Sequence, residues 1–282
     1  MSATVVVLGD ALLDVTARPV TPMLVGADVP ADVRIGCGGQ GANLAIRLAR
    51  QGVGVTLICG LGDDPAASLV TNALRAEGVR LEPVRVDATG SVVILIDEAG
   101  ERTMLSQRAP FMAARSSAPS WTVISGYLLL QADGIDLARV VADRTSRLVV
   151  VGCAVPEPSR PAWRRAVAAA RADLLILNRE EAAAMAPIAE LGVGTIVTAS
   201  DGITASIGEA SVSVRVPEGT PAIDTTGAGD AFAAGTVAAL IRTPWPPSGA
   251  ALESIIADAS RLAGEVARSP GAQARVAAEA RA

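Results

Sequence analysis

The 282-residue sequence contains no histidine, and because no lysine occurs either, its 24 basic side chains are all arginine. Without histidine the chain cannot form a Ser-His-Asp triad, a Cys-His pair or a zinc site with histidine ligands. Without lysine it cannot form a Schiff base, and it lacks the lysine of a Walker A loop or a protein kinase. Phosphate chemistry would therefore have to use backbone amides, arginine, acidic side chains and metal ions.

Cysteines and strongly charged segments are also scarce. Cys37, Cys59 and Cys153 follow no metal or disulfide spacing, which suits a reducing compartment. A net charge of −5 without a concentrated basic patch argues against nucleic-acid binding. No apolar run reaches the ~20 residues that span a bilayer, and the N-terminus has no secretory-signal pattern. We expect a cytoplasmic protein without nucleic-acid or membrane partners.

Short apolar runs alternate with helical patterns along most of the chain. The patterns predict strands over residues 4–8, 55–59, 80–87, 91–96, 102–106, 127–130, 148–151, 174–177, 195–198, 203–207 and 211–216. They predict helices over residues 43–51, 65–77, 136–143, 161–171, 180–186 and 231–241. Residues 11–36 are predicted to be irregular, and residues 273–282 a short terminal helix or frayed end. This alternation implies an α/β fold with a mainly parallel sheet covered on both faces.

The segment Asp224-Thr-Thr-Gly-Ala-Gly-Asp-Ala-Phe232 is the most informative part of the sequence. Gly227 and Gly229 leave backbone amides free to turn inward, and a helix start just after them favours a bound anion. Asp230 beside such a site could accept a proton from a hydroxyl that attacks a phosphate. The structural alternative is a tight turn with an aspartate at the helix N-cap.

Two further motifs accompany this segment. Gly38-Gly-Gln-Gly-Ala-Asn43 opens the first long helix, and Asn178-Arg-Glu-Glu181 follows a predicted strand. In this order the motifs resemble those of the ribokinase family of sugar kinases, the phosphofructokinase-B type, over nearly the whole chain. The resemblance implies a three-layer α/β/α fold with a mainly parallel central sheet and a small β lid. It also implies one kinase domain over residues 1–282, with lid segments at approximately 11–36 and 80–110.

The resemblance implies a role for each matching residue. Asp230 would be the catalytic base, and the amides of Gly227, Ala228 and Gly229 would form an anion hole. Asp10 or Asp14, with Gly38, Gly39 and Asn43, would bind the sugar. The nucleotide would contact Thr198, Ser200, Gly202 and Ser260. Magnesium would be held through water by Asn178 and Glu181, although both also fit a plain helix N-cap with an acidic first turn. Asp224 would be a candidate ligand for a monovalent cation such as potassium.

Several positions differ from the ribokinase pattern. Leu12 replaces an asparagine, Gln40 a common lysine, and Arg108-Ala-Pro110 a common Gly-Ala-Asn, which argues against ribose. The expected pocket is acidic or neutral, although Arg34, Arg102 and Arg108 could approach it from the lid. We therefore expect an unphosphorylated sugar as acceptor, because a phosphate ester needs its own basic cluster.

The sequence thus predicts ATP- and magnesium-dependent phosphorylation of a hydroxymethyl group on a small sugar, with dimerisation through the lid as an option. A nucleoside kinase of the same fold is an alternative, disfavoured because three Trp, two Phe and one Tyr supply few rings for stacking. A non-catalytic sugar or nucleotide sensor is a second alternative. It is disfavoured because a sensor does not need a catalytic base such as Asp230. A dinucleotide-binding oxidoreductase is weaker, since no Gly-x-Gly-x-x-Gly follows the first strand.

Overall fold

The computed structural model describes residues 4–98, 101–111, 120–131, 134–137, 147–216, 224–269, 271–273, 275–276 and 279. Its strands are β1 (Thr4–Leu8), β2 (Leu12–Pro19), β3 (Ala31–Gly38), β4 (Gly54–Leu61), β5 (Arg80–Arg85), β6 (Ser91–Ile96), β7 (Arg102–Gln107), β8 (Trp121–Ser125), β9 (Leu148–Val151), β10 (Leu174–Asn178), β11 (Gly194–Thr198), β12 (Ile203–Ile207) and β13 (Ala210–Val214). Its α-helices are α1 (Gln40–Arg50), α2 (Pro65–Ala76), α3 (Arg160–Ala170), α4 (Arg179–Met185), α5 (Ala228–Leu240) and α6 (Gly249–Ala267).

A nine-stranded sheet forms the centre of the molecule, in the order β13-β12-β11-β10-β9-β8-β1-β4-β5. The neighbouring strands from β11 to β5 run parallel, and β12 and β13 add an antiparallel hairpin at one edge. The predicted mainly parallel sheet is therefore confirmed. Parallel strands direct their carboxyl ends to the same edge, and this edge is where the functional motifs meet.

Both faces of this sheet are buried, as the short apolar strands predicted. In β1, Val5 and Val7 face one apolar core together with residues of α1, α5 and α6. Val6 and Leu8 face a second core together with residues of α3. Successive strand residues point to opposite faces, so an apolar run such as Val5–Leu8 requires helices on both sides. The result is the three-layer α/β/α arrangement.

A second sheet of four strands, in the order β3-β2-β6-β7, lies beside the first. Its register places Asp14, Thr16, Arg34 and Arg102 on one face, which we call the inner face because a cavity lies against it. The opposite, outer face carries apolar side chains, several of them exposed: Val33, Ile35, Val93 and Leu105.

The structure corrects two predictions for this region. Residues 11–36 are not simply irregular, because β2 and most of β3 lie there as an antiparallel pair. Pro19 is the last residue of β2, and Pro30 immediately precedes β3, so neither interrupts the pairing. The predicted lid boundary at residue 80 is also too early. β5 pairs with β4 in the large sheet, and its Leu81 packs against the first core.

Two other predictions differ from the structure. The predicted strand 127–130 is a 3₁₀ turn, Leu128–Leu130, and the strand is instead β8, Trp121–Ser125. A short buried apolar run does not distinguish the two, and both segments are buried. The predicted helix 136–143 lies mainly outside the described residues. The structure describes residues 134–137 in this region, and they are helical.

The C-terminal residues are packed where the structure describes them, so the frayed-end prediction is wrong for this part. Glu279 is buried, and its carboxylate accepts a hydrogen bond at 2.5 Å from Arg47, which is 0% exposed. Arg47 also donates to the carbonyl of Ala272 at 2.6 Å. A buried arginine on α1 requires such partners, because an unpaired buried charge is costly. No helix among the described residues is long and apolar enough to span a membrane.

Candidate active site

The Asp224–Phe232 segment forms a turn that leads directly into α5. The amide of Thr226 donates to Asp224 Oδ1 at 2.8 Å, and Gly227 follows with φ 75° as the helix N-cap. A Cβ on Gly227 would lie 2.8 Å from atoms of Ala272, so the position needs glycine for both conformation and space. The helix begins three residues earlier than predicted, which makes Asp230 its third residue rather than its N-cap.

A cavity of about 170 Å³ lies at the start of α5, and we call it the α5 cavity. It is located at the carboxyl ends of β9, β10 and β11. Seven of its lining residues belong to the three motifs of the sequence analysis: Gln40, Asn178, Glu181, Gly227, Gly229, Asp230 and Phe232. Thr198, an expected nucleotide contact, lines it as well. The fold thus brings together three motifs that are far apart in sequence.

The amides at the start of α5 make this cavity suitable for an anion. Gly227 and Gly229 both line it, and a Cβ on Gly229 would meet no atom within 4 Å. The helix dipole adds positive potential at this end. Ala228, the third predicted member of the anion hole, donates its amide to Thr225 O at 3.2 Å. Gly227 and Gly229 are therefore the better candidates for anion contact.

Asp230 is a half-buried carboxylate with defined donors. Its Oδ2 accepts a hydrogen bond from Asn43 Nδ2 at 2.9 Å, and Gln40 lines the same cavity. Burial raises the pKa of Asp230 to about 6, although hydrogen bonds from Asn43 and Gln40 and the charge of Arg47 act in the opposite direction. Such a group is mostly ionised at neutral pH and yet basic enough to accept a proton.

Asn178 and Glu181 form a helix cap and also face the α5 cavity. Asn178 Oδ1 accepts from the Glu181 amide, and Glu181 Oε2 accepts from the Asn178 amide, each at 2.8 Å. This is a capping box at the start of α4, so the structural interpretation is confirmed. Burial raises the pKa of Glu181.

The oxygen donors of Asn178 and Glu181 also fit magnesium, which prefers hard ligands and usually keeps several waters. Within the described ranges there is no group of three His, Cys, Asp or Glu residues that could hold a metal by itself. An ion here would therefore be completed by water and phosphate oxygens.

A larger cavity of about 630 Å³ lies against the inner face of the four-stranded sheet, and we call it the inner-face cavity. Its other wall is formed by Asp224, Thr226 and the C-terminal residues 271–273. Asp14 lines it, and burial raises the pKa of this carboxyl group to about 7. Gly38 lies so close that a Cβ there would collide with the Asp14 carboxyl group. Thr226 lines the inner-face cavity, and the next residue, Gly227, lines the α5 cavity, so the two cavities are neighbours.

Asp10, the other candidate for sugar binding, has different contacts. Its Oδ1 accepts from the amide of Gly41 at 3.3 Å, and its Oδ2 forms an ion pair with Arg108. The guanidinium of Arg108 in turn lies 3.6 Å from the centre of the Tyr127 ring. Asp10 is thus engaged in holding α1 and Arg108, and it is not among the residues that line the inner-face cavity.

The remaining predicted residues lie in several places. Gly39 precedes α1 with φ 93°, and a Cβ there would be 2.8 Å from Asp10 O. Asn43 lies between Asp230 and Gln273 rather than in the lining of the inner-face cavity. Ser200 and Gly202 belong to the turn between β11 and β12, and Ser260 is half-buried on α6. Of the four expected nucleotide contacts, Thr198 alone lines the α5 cavity.

Arg102 connects the four-stranded sheet to the turn over residues 224–227, which we call the signature turn. Its Nη2 donates to Thr225 Oγ1 at 2.8 Å, and its Nη1 contacts Thr226 Oγ1 and lies 3.4 Å from Asp224 Oδ1. Burial opposes ionisation of Asp224, but hydrogen bonds from Thr226 and Gly271 and the charge of Arg102 lower its pKa overall. The sequence indicated Arg102 only as a lid residue that could approach the pocket.

Other site residues carried little sequence signal. Gln40 was noted as a departure from the family pattern, and its position in a glycine-rich helix start was the available signal. Arg47 and Gln273 were not predicted at all. Both contact partners more than 220 residues away in sequence, such as Ala272 and Asn43 respectively.

The sequence profile that describes pfkB family carbohydrate kinases matches residues 2–279. The chain is 32% identical over 244 residues to a Halopiger xanaduensis protein named ATP-dependent ribose-1-phosphate kinase, with 80% of each chain covered. It is 27% identical over 257 residues to the ribokinase of Bacillus subtilis, with 84% of this chain and 83% of that protein covered. The solved ribokinase of Thermotoga maritima has a TM-score of 0.76 at 18% identity, covering 100% of this chain and 98% of its own.

Substituting Gly229 tests whether the start of α5 binds anions. In Gly229→Val the new side chain would occupy open space beside the α5 cavity without a clash. We expect the affinity for inorganic tripolyphosphate, measured by titration calorimetry, to fall about tenfold or more while the fold persists. Gly249→Val is the matched control, because Gly249 is the first residue of α6 and its Cβ also meets no atom within 4 Å. Equal binding by both variants would show that anions do not bind here.

Proposed function

The chain belongs to the pfkB family of carbohydrate kinases, and we propose that it transfers the γ-phosphoryl group of ATP to a hydroxymethyl group of a small unphosphorylated sugar. One observation carries this proposal. The signature turn separates an anion-suited cavity from a polar cavity, and the basic carboxylate of Asp230 follows it at the start of α5. The sugar would bind under the four-stranded sheet, which would act as a lid and exclude water.

In this proposal Asp230 accepts the proton of the sugar hydroxyl. The hydroxyl oxygen forms a bond to the γ-phosphorus as the bond from phosphorus to the bridging oxygen breaks, and ADP leaves. The amides of Gly227 and Gly229 and the start of α5 stabilise the charge of the transferring group. A magnesium ion bound with ATP would offset phosphate charge, and Asn178 and Glu181 would hold it through water. Thr198, Ser200, Gly202 and Ser260 remain the proposed nucleotide contacts.

An unphosphorylated sugar is supported by the charge pairing of the lid arginines. Arg34 pairs with Asp32 at 3.1 Å, Arg102 lies 3.4 Å from Asp224, and Arg108 pairs with Asp10. Each of these three guanidinium groups therefore already has a carboxylate partner. No aromatic residue is among those that line the inner-face cavity, which disfavours a nucleoside.

A sugar phosphate is the second candidate acceptor. Arg18, Arg34 and Arg102 all line the inner-face cavity, and a phosphate could bind Arg18 and displace the carboxylate partners of Arg34 and Arg102. The relative named as a ribose-1-phosphate kinase is consistent with this alternative.

A panel of acceptors distinguishes these candidates. We expect ADP formation with one or more free pentoses or hexoses, and slower turnover with their phosphates, with nucleosides and with no acceptor. Asp14→Ala should raise KM for the sugar about tenfold or more without changing KM for ATP, because Asp14 would contact only the acceptor. Asp28→Ala, an exposed carboxylate before β3, is the control. Preference for a sugar phosphate would establish the second candidate, and binding without turnover would favour a sensor.

The proton-accepting role of Asp230 has its own test. Asp230→Asn keeps the shape and can still bond to Asn43, but it cannot accept a proton. We expect kcat to fall roughly 100-fold or more, with nearly unchanged ATP affinity. Steady-state kinetics and ATP titration measure the two quantities separately. Near-normal turnover would remove Asp230 from the proposed mechanism.

Magnesium dependence tests Asn178 and Glu181. EDTA should abolish turnover, and added magnesium should restore it. Glu181→Gln keeps the capping box, because glutamine also accepts the Asn178 amide bond, but it should raise the magnesium concentration at half-maximal rate several-fold. Glu180→Gln, the exposed neighbour, should leave that concentration unchanged. Identical magnesium titrations would leave Asn178 and Glu181 as capping residues only.

A monovalent cation at Asp224 is the part of the family pattern with least support here. Thr226, Gly271 and Arg102 already surround the Asp224 carboxylate. Arg102 supplies the positive charge at this point in the present arrangement, and an ion would have to share the site with it. A potassium titration in the same assay decides whether such an ion contributes.

We further propose that two copies associate through the outer face of the small sheet. Val33, Ile35 and Leu105 are 55%, 61% and 62% exposed on this face, and such apolar patches commonly mark interfaces. Leu105→Glu should convert a dimer to a monomer in light scattering, whereas Ala257→Glu on the exposed side of α6 should not. A monomeric parent protein would exclude the dimer.

A cytoplasmic location remains part of the proposal. Cys37, Cys59 and Cys153 are free thiols, as a reducing compartment would maintain them. Recovery of the protein from a secreted fraction would oppose this assignment.

A further inference from the structure

Two amide side chains from the first turn of α1 act on the carboxylate of Asp230. Asn43 Nδ2 donates to Asp230 Oδ2 at 2.9 Å, and the Gln40 side chain, which lines the same cavity as Asp230, lowers the pKa of this carboxylate. Both come from one helical turn, since positions 40 and 43 lie on the same side of a helix. An amide can present either its N–H group or its carbonyl, so these contacts are useful only if each amide is correctly oriented.

Each amide is oriented by a group from another part of the chain. Gln273 Nε2 donates to Asn43 Oδ1 at 3.2 Å, so the Nδ2 of Asn43 is directed to Asp230. Ser125 Oγ donates to Gln40 Oε1 at 2.6 Å, and Gln40 Nε2 donates to Gly152 O at 2.7 Å. The donors therefore run from Gln273 through Asn43 to Asp230, while Ser125 and Gly152 fix the Gln40 amide in the lining of the cavity that also contains Asp230.

Gln273 is fixed in place by the packing of the C-terminal residues. Its Nε2 also donates to Cys37 O at 2.7 Å, and its own carbonyl accepts from Arg50 Nη1 at 2.9 Å. The neighbouring carbonyl of Ala272 accepts from Arg47, and Arg47 pairs with buried Glu279. The C-terminal residues thus hold Gln273 rigidly enough to orient another side chain.

We propose that Gln40 and Gln273 are positioning residues for proton transfer, and that two hydrogen-bond relays, Gln273 to Asn43 and Ser125 to Gln40, orient the groups beside Asp230 and stabilise its charged form. This inference rests on the proposed kinase function, in which Asp230 is the base. Neither glutamine needs to touch the substrate. The Gln273 relay would make the C-terminal residues part of the catalytic apparatus, although they are more than 40 residues from Asp230 in sequence.

The charge balance around Asp230 gives the expected direction of a pH effect. Burial raises the pKa of Asp230, while the amide donors and Arg47 on α1 lower it, and Glu181 on α4 raises it. Tyr127, after β8, also faces this carboxylate. If one donor is lost while Arg47, Glu181 and Tyr127 stay in place, the pKa of Asp230 rises. The acidic limb of the kcat profile should then move to higher pH, and activity should recover at alkaline pH.

The test compares Gln273→Leu, Gln40→Leu and the double variant with the parent enzyme. For each single variant we expect the acidic limb to rise about half a pH unit or more, kcat at pH 6 to fall about twofold or more with recovery at alkaline pH, and KM for ATP to change less than about twofold. Gln51→Leu is the matched control, because Gln51 lies at the other end of α1. A fall in kcat that is the same at every pH, or no fall in kcat, would overturn the relays.

A second measurement does not depend on turnover. The titration of Asp230 can be followed by carbon NMR of the protein labelled at aspartate Cγ, with the resonance assigned by its loss in Asp230→Asn. The Gln273→Leu and Gln40→Leu proteins should show a higher pKa for Asp230 than the parent and Gln51→Leu proteins. An unchanged titration would overturn the relays even in an active kinase. A shifted titration in a protein without kinase activity would support the relays while refuting the proposed function.

Discussion

The partial burial of one carboxylate, that of Asp230, is the constraint on which the arrangement of this site depends. Removing an ionised carboxylate from water costs several kcal/mol unless donors and opposite charges replace the lost hydration. Here the replacement comes from Asn43 and Gln40, from the charge of Arg47, and from the start of α5. A hydrogen bond to a charged group contributes about 1.5–3 kcal/mol and a helix terminus about 0.3–1 kcal/mol. These contributions leave the carboxylate ionised at neutral pH but more basic than an exposed aspartate.

The parallel sheet determines where these groups meet. Gly152 follows β9, Asn178 ends β10, and Thr198 ends β11, so all three lie at the same edge beside the start of α5. The small sheet is attached at this edge too, because β2 begins only four residues after β1 ends. A cavity for an anion and a cavity under the small sheet are therefore neighbours by topology. This follows the general tendency of open α/β sheets to bind ligands at the carboxyl ends of their strands.

The exclusive use of arginine shapes the charged contacts of the molecule. Arg47 is 0% exposed and paired with Glu279, where a lysine could lose its proton on burial but a guanidinium keeps its charge. Arg50 makes two parallel hydrogen bonds of 2.9 Å to Glu77, a geometry that an ammonium group cannot reproduce. Arg108 stacks on Tyr127, and Arg102 joins the small sheet to the signature turn. These arginines anchor segments to one another.

Local sequence determined much of the architecture. The alternating apolar runs predicted the mainly parallel sheet, and residues 224–232 predicted the turn, the glycine-rich helix start and the position of the candidate base. These features are encoded within a few neighbouring residues, by glycine conformation, helix signals and strand periodicity. The local sequence pattern was insufficient where the same pattern fits two kinds of secondary structure. The run 127–130 became a 3₁₀ turn, and residues 11–36 contained β2 and most of β3, which pair with each other and, through β2, with the distant β6. Tertiary structure alone decided that Asn43 contacts Asp230, that Arg102 reaches Thr225, and that Gln273 orients Asn43. The residues of each pair lie more than 120 positions apart, so their contact depends on how the sheets and helices pack and leaves no periodicity or spacing in the sequence to detect.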